Sequence, residues 1–185
     1  MWQFSHPWSV KSLFPAALLA GLWAAPLALV TVGWSKAGAD GGGVLVYAAG
    51  YAMLALRAYG RLTPRRVLVA VAAVLVFGAL VVAADAATGG SSHVTRALGT
   101  DLPGDLAHRW HEAAKGPTGS WGAFALFASG VAVLVRLATI RPRPPTLDAL
   151  LVALAVSFVV NDTPQDVAFW GALGALTVLA VERAR

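Results

Sequence analysis

The chain has no cysteine. That excludes disulfides, thiolate metal sites and a cysteine nucleophile, and leaves histidine, carboxylate and hydroxyl chemistry as the options. Charge is almost as scarce. Only 12% of the 185 residues are Asp, Glu, Lys or Arg, about half of what soluble domains carry. Missing as well are internal repeats of 20 to 50 residues and any low-complexity tract beyond Ala, Val and Leu enrichment.

What fills the chain instead is apolar sequence: 58% of residues are hydrophobic and the mean hydropathy is +0.69. Runs of about span length recur, separated by short connectors, which predicts an all-α polytopic bundle of about six transmembrane spans in one membrane domain. The expected spans are Leu13 to Val32, Val44 to Tyr59, Val67 to Ala84, Trp121 to Leu137 or Ile140, Thr146 to Val160, and Asp166 to Val181. The last two are short for a bilayer. The first begins like a secretory signal but is longer than a signal core, contains Pro15 and Pro26, and lacks a convincing cleavage site, so it reads as a span.

The net charge of +5 and the pI near 10.2 do not point to nucleic acid, because the basic residues sit in short clusters beside apolar runs. With six spans, one side of the membrane receives ten of the fourteen Lys and Arg. The positive-inside rule then puts both termini in the cytoplasm, in what the Ala, Val and Arg-rich composition suggests is a bacterial plasma membrane. Acidic residues show the reverse, seven of nine falling on the outer side. Insertion does not require that asymmetry, which directs attention outward.

The one long polar interval, residues 85 to 120, is also outward-facing. Its first part runs Gly89-Gly-Ser-Ser-His93 into Val94-Thr-Arg96. Ser91 or Ser92 could cap a short helix whose free amides, with His93 and Arg96, suit a phosphate or carboxylate, or the segment is an ordinary loop and cap. Its second part, Pro103 to Lys115, reads as an amphipathic helix lying in the outer interface. Leu102, Leu106, Trp110 and Ala113 share one face, and Asp105, His108, Arg109 and Glu112 the other. The spacing of Asp105, His108, His111 and Glu112 also permits a divalent metal, with His93 completing the shell, although no standard signature is present.

Two further polar features face outward. Asn161 and Asp162 lie between two short spans, at or slightly below the membrane boundary. Capping explains part of this: Asp162 or Thr163 could cap the last span, with Pro164 in its first turn and Gln165 or Asp166 completing a capping box. Asp85 ends the third span, where a helix C-terminus disfavours a carboxylate and calls for a cation such as Arg96 or Arg109.

The segments Gly89 to Arg96 and Val160-Asn-Asp-Thr-Pro164 together resemble the C-terminal membrane regions of large actinobacterial polytopic proteins. The likeness runs from about span three onward. It implies a multi-span membrane fold and carries no activity. Ser91-Ser-His93 is also similar to the Ser-Gly-His element of lipid phosphatases, but that family's other elements are missing. An intramembrane serine protease is excluded because Ala128-Ser-Gly130 lacks its preceding glycine and a histidine in a later span.

Two functions remain in view. In one, an outward pocket binds or processes a phosphorylated or otherwise anionic lipid-linked substrate. His93, Asp162 and Asp85 would be its catalytic groups, and Ser91, Ser92, Arg96 and Asn161 its binding groups. In the other, the same residues cap helices or bind a partner in a non-catalytic membrane subunit or small transporter. The partners expected are the bilayer and another membrane protein or a second copy.

Overall fold

The computed structural model describes residues 41–58, 62–87, 102–160 and 163–184. Among them every regular element is a helix: α1 Gly41–Ala58, α2 Pro64–Ala87, α3 Leu102–Thr118, α4 Trp121–Thr139, α5 Pro145–Val160 and α6 Pro164–Arg183. The expected first span, Leu13 to Val32, lies outside the described residues.

Local chemistry accounts for where the helices begin and end. Proline stands at the first position of α2, α5 and α6, where its missing N–H would be unsatisfied in any residue and its fixed φ already matches a helix. Ser120 caps α4, its side chain accepting from the Ala123 amide, as an N-cap serine should. The connector Arg141 to Pro144, with a cis Arg141-Pro142 bond, separates α4 from α5.

Among the described residues three helices are long and apolar enough to cross a membrane: Pro64–Ala84, Trp121–Thr139 and Pro164–Arg183, with mean hydropathies of 3.0, 1.8 and 1.3. Their 19 to 21 residues give about 30 Å of helix, the thickness of a hydrocarbon core. α1 and α5 are shorter apolar helices. The last helix thus exceeds the short span expected for it. It starts at Pro164 and continues through Glu182 and Arg183, for 20 residues.

α1 packs most extensively on α5, α4 on α6, and α2 on α1, with α5 also touching α6. Small residues make these approaches possible. A Cβ added at Gly50 would lie 3.2 Å from the Ala153 Cβ, and one at Gly42 would lie 3.2 Å from Val160. Both contacts belong to the α1–α5 seam. Gly130 is tighter still, since its Cβ would come within 2.6 Å of the Ala168 carbonyl oxygen.

The main core lies where α4, α5 and α6 meet: Leu134, Leu137, Leu147, Ala172, Ala175 and Leu179. A second, smaller cluster, Val44 and Ala48 with Val74, Phe77 and Val81, joins α1 to α2. The contacts of Gly42 with Val160 and of the Gly78 position with Leu45 make α1 antiparallel to both α5 and α2. One end of the bundle therefore carries the start of α1, the end of α2, the start of α4 and the α5–α6 turn. The opposite end carries Arg57, Arg65, Arg66, Arg136, Arg141, Arg143 and Arg183.

Candidate functional site

α3 is the element that organises the first of these ends. It packs on α4 and α6, burying Ala113 and Pro117 while His108, His111, Glu112 and Lys115 stay exposed. Residues 113 and 117 continue the apolar face expected from position 106 and position 110, so the amphipathic helix is present and runs to Thr118. Trp110 is half exposed, but its indole N–H donates to the Val159 carbonyl oxygen at 3.2 Å. That carbonyl belongs to the last turn of α5, which has no partner within its own helix. Further along, Gly116 lies so close to Gln165 that a Cβ there would be 2.5 Å from Oε1.

These two contacts fall on either side of one turn. Val159 precedes, and Gln165 follows, positions 161 and 162. α3 thus contacts the last turn of α5 and the first turn of α6. Asp85 is placed by its backbone in the last turn of α2, at the same end of the bundle, with the start of α1 between α2 and α5. Ser91, Ser92, His93, Arg96, Asn161 and Asp162, the other residues expected in an outward pocket, lie outside the described residues.

Glu112 does not stand ready as a metal ligand. Its carboxylate accepts from the Lys115 ammonium at 2.6 Å. That hydrogen bond, aided by the Lys115 charge and the fields of His108 and His111, outweighs the opposing effect of burial and holds its pKa below the ordinary carboxylate value. Among the described residues no three His, Asp or Glu side chains come together in a way that could hold a metal. The capping expected at α6 takes a simpler form. Thr163 is the N-cap residue and Pro164 follows, but the Thr163 side chain makes no capping hydrogen bond. Its backbone carbonyl accepts from Asp166 and Val167 instead.

The opposite end holds a cluster that sequence reasoning missed. Asp148, in the first turn of α5, is 5% exposed and sits between two arginines. Its Oδ1 accepts from Arg143 Nε at 2.5 Å, and its Oδ2 lies 2.9 Å from Arg57 Nε. The Arg57 Nε–H is not aimed along that second line, so charge rather than a hydrogen bond holds the contact. Arg57 Nη2 donates to the Arg143 carbonyl oxygen at 3.1 Å. A carboxylate at a helix start and an arginine in the last turn of α1 also each meet the favourable pole of their helix.

Neighbouring polar groups extend this cluster. Arg143 Nη1 donates to the Ala138 carbonyl, which also accepts from Arg141 Nη1 at 2.8 Å. The Thr146 hydroxyl donates to Glu182 at 2.9 Å, joining the start of α5 to the end of α6. One signal for the hub was present in the sequence: Asp148 is one of only two acidic residues on the arginine-rich side. Its partners were not readable, because Arg57 lies in a helix that is far from α5 along the chain.

Comparison of the chain with models of known protein families, with curated proteins and with solved structures finds no match.

Proposed function

We propose that this chain is an integral protein of a bacterial plasma membrane, with about six spans and both termini cytoplasmic. At its outward end it binds or processes a phosphorylated or otherwise anionic lipid-linked substrate. Composition and the spread of aromatic side chains support the membrane reading. Trp110, Trp121, Phe124 and Trp170 are all exposed at or near the end that carries α3, as in the aromatic belts of membrane proteins.

The observation that supports the functional reading is the seating of α3 on the last turn of α5 and the first turn of α6. A helix fixed there would, in this reading, roof the polar groups that the sequence concentrates in the interval before it and between the last two helices. In this reading His93 is the acid or base, and Arg96 holds the anion with Ser91, Ser92 and Asn161. Asp162 or Asp85 orients the histidine or a divalent ion. The resemblance to actinobacterial polytopic membrane regions accords with such a protein and adds no activity of its own.

The test uses the full chain in lipid nanodiscs with a polyprenyl phosphate as probe. His93→Ala and Asp162→Ala should each abolish binding or turnover while membrane insertion stays intact. Full retention in both variants would show the reading wrong. A second reading, a non-catalytic subunit or small transporter, draws on α2, which packs on α1 and leaves Leu68, Val69, Leu75, Val76 and Leu80 exposed. It predicts that another membrane protein co-purifies with the chain, and that Leu75→Trp in this face disrupts the association.

A further inference from the structure

α3 meets the bundle along a narrow strip. Of the α3 side chains that the structure describes, Ala113 and Pro117 are the buried ones. Trp110, one turn earlier, is 56% exposed, and its indole N–H reaches the Val159 carbonyl oxygen on a surface that water also reaches. Such a bond adds little, because water can take either partner's place. Glu112 pairs with Lys115 inside α3, so that ion pair does not tie the helix to its neighbours.

Seating the helix also has an opposing effect. Gln165, in the first turn of α6, has its Oε1 buried without a hydrogen-bond partner. Gly116 of α3 lies against that amide: a Cβ there would come within 2.8 Å of both Cδ and Nε2, besides its approach to Oε1. A buried acceptor left unpaired is destabilising by more than an ordinary hydrogen bond stabilises. Lifting α3 would return the amide to water and remove that penalty.

The joint to α4 permits such a movement. Gly119 alone stands between Thr118, which ends α3, and Ser120, which caps α4. With Ser120 holding the start of α4, a swing of α3 falls on Gly119, whose backbone has the widest range of any residue. The last turn of α3 is loosened too. Pro117, inside the helix, has no N–H to give the Ala113 carbonyl, and the Gly119 N–H reaches the Gly116 carbonyl only at 3.4 Å.

We propose that α3 is a lid, alternating between the seated position and a lifted one by turning about Gly119. The Trp110 indole favours the seated position and the Gln165 amide opposes it. The motion stands on these contacts alone. Its use, to admit an anionic lipid-linked substrate to the outward end, rests on the function proposed above.

The experiment uses the full chain in lipid nanodiscs, with nitroxide pairs on cysteines introduced into a sequence that has none. Ala107 on α3 and Leu176 on α6, both exposed, report the lid as A107C/L176C. Double electron–electron resonance should give this pair a major seated and a minor lifted distance, and give Y47C/L176C, which joins α1 to α6, one distance. W110F should raise the lifted share roughly threefold, the net effect of one hydrogen bond. Q165M, which keeps the length of the side chain and removes the unpaired oxygen, should raise the seated share about fivefold when added to W110F. A113L, a wedge in the buried strip, should also lift the helix and keeps the test decisive if W110F misfolds. A single 107–176 distance shared by the wild type, W110F and A113L overturns the proposal. So does an equal change in the 47–176 distance, or a Q165M addition that leaves the lifted share as it was. Polyprenyl phosphate should raise the seated share. A lid that answers to W110F and Q165M but not to this probe would stand, and would count against the substrate reading instead.

Discussion

Removing the Asp148 carboxylate would leave the guanidinium groups of Arg57 and Arg143 facing each other beside a buried position. Their side chains are 32% and 18% exposed, so water relieves part of the repulsion. Asp148→Ala should therefore cost on the order of 2–3 kcal/mol, below the range for fully buried pairs. Thermal unfolding in detergent measures this, and Asp148→Ala combined with Arg57→Met should recover part of the loss. A cost as small as that of a surface carboxylate would mean that the cluster contributes little. Glu112 gives a second prediction at this scale. The Lys115 hydrogen bond depresses its pKa, so the pairing contributes stability fully above about pH 4.5. That contribution fades as pH falls through the lowered folded value. A side-chain NMR titration should place the Glu112 midpoint below 4.5, and Lys115→Met should move it back up. An unchanged midpoint in that variant would assign the shift elsewhere.

Helix boundaries were largely legible, since apolar runs and proline at helix starts are local signals. The α3 helix was expected from Pro103 to Lys115 and extends to Thr118. The small residues of α1 predicted close packing, but which helix they meet depends on a tertiary arrangement without any local imprint. Gly130 shows how much such a contact constrains an element. A methyl group there would meet the backbone of α6, with the Ala168 carbonyl carbon at 2.7 Å and its oxygen at 2.6 Å, and a backbone cannot rotate aside as a side chain can. Gly130→Ala should force α4 and α6 apart at a cost of about 1–3 kcal/mol. Gly174, in α6, has nothing within 4 Å of its added Cβ. Gly174→Ala should stabilise the helix by roughly 0.5–1 kcal/mol. Unfolding midpoints of the two variants, compared under one detergent condition, should move in opposite directions.

At the scale of the molecule, the two ends differ in kind. One is tied by arginine side chains to a buried carboxylate and to the last carbonyls of α4, a compact ionic clasp. The other carries a helix held, among the described residues, by an indole hydrogen bond, a close glycine contact and the burial of Ala113 and Pro117. Residue spacing suggested the roof, because an amphipathic period is visible in sequence, but it could not suggest the clasp, whose members come from α1, the α4–α5 connector and α5. The residues expected to face outward, His93, Arg96, Asn161 and Asp162, were singled out only by their chemistry and by the topology expected from the sequence. That topology makes the last prediction. If the arginine-rich end is cytoplasmic, the orientation that the charge asymmetry predicts, Ser120 before α4 faces outward and Ala184 after α6 faces inward. The chain's lack of cysteine makes single-cysteine variants clean reporters. In intact cells a membrane-impermeant maleimide should label Ser120→Cys and spare Ala184→Cys, and both should react after the membrane is opened. Labelling of Ala184→Cys from outside would invert the molecule and place the α3 roof, with the anionic-substrate reading built on it, in the cytoplasm.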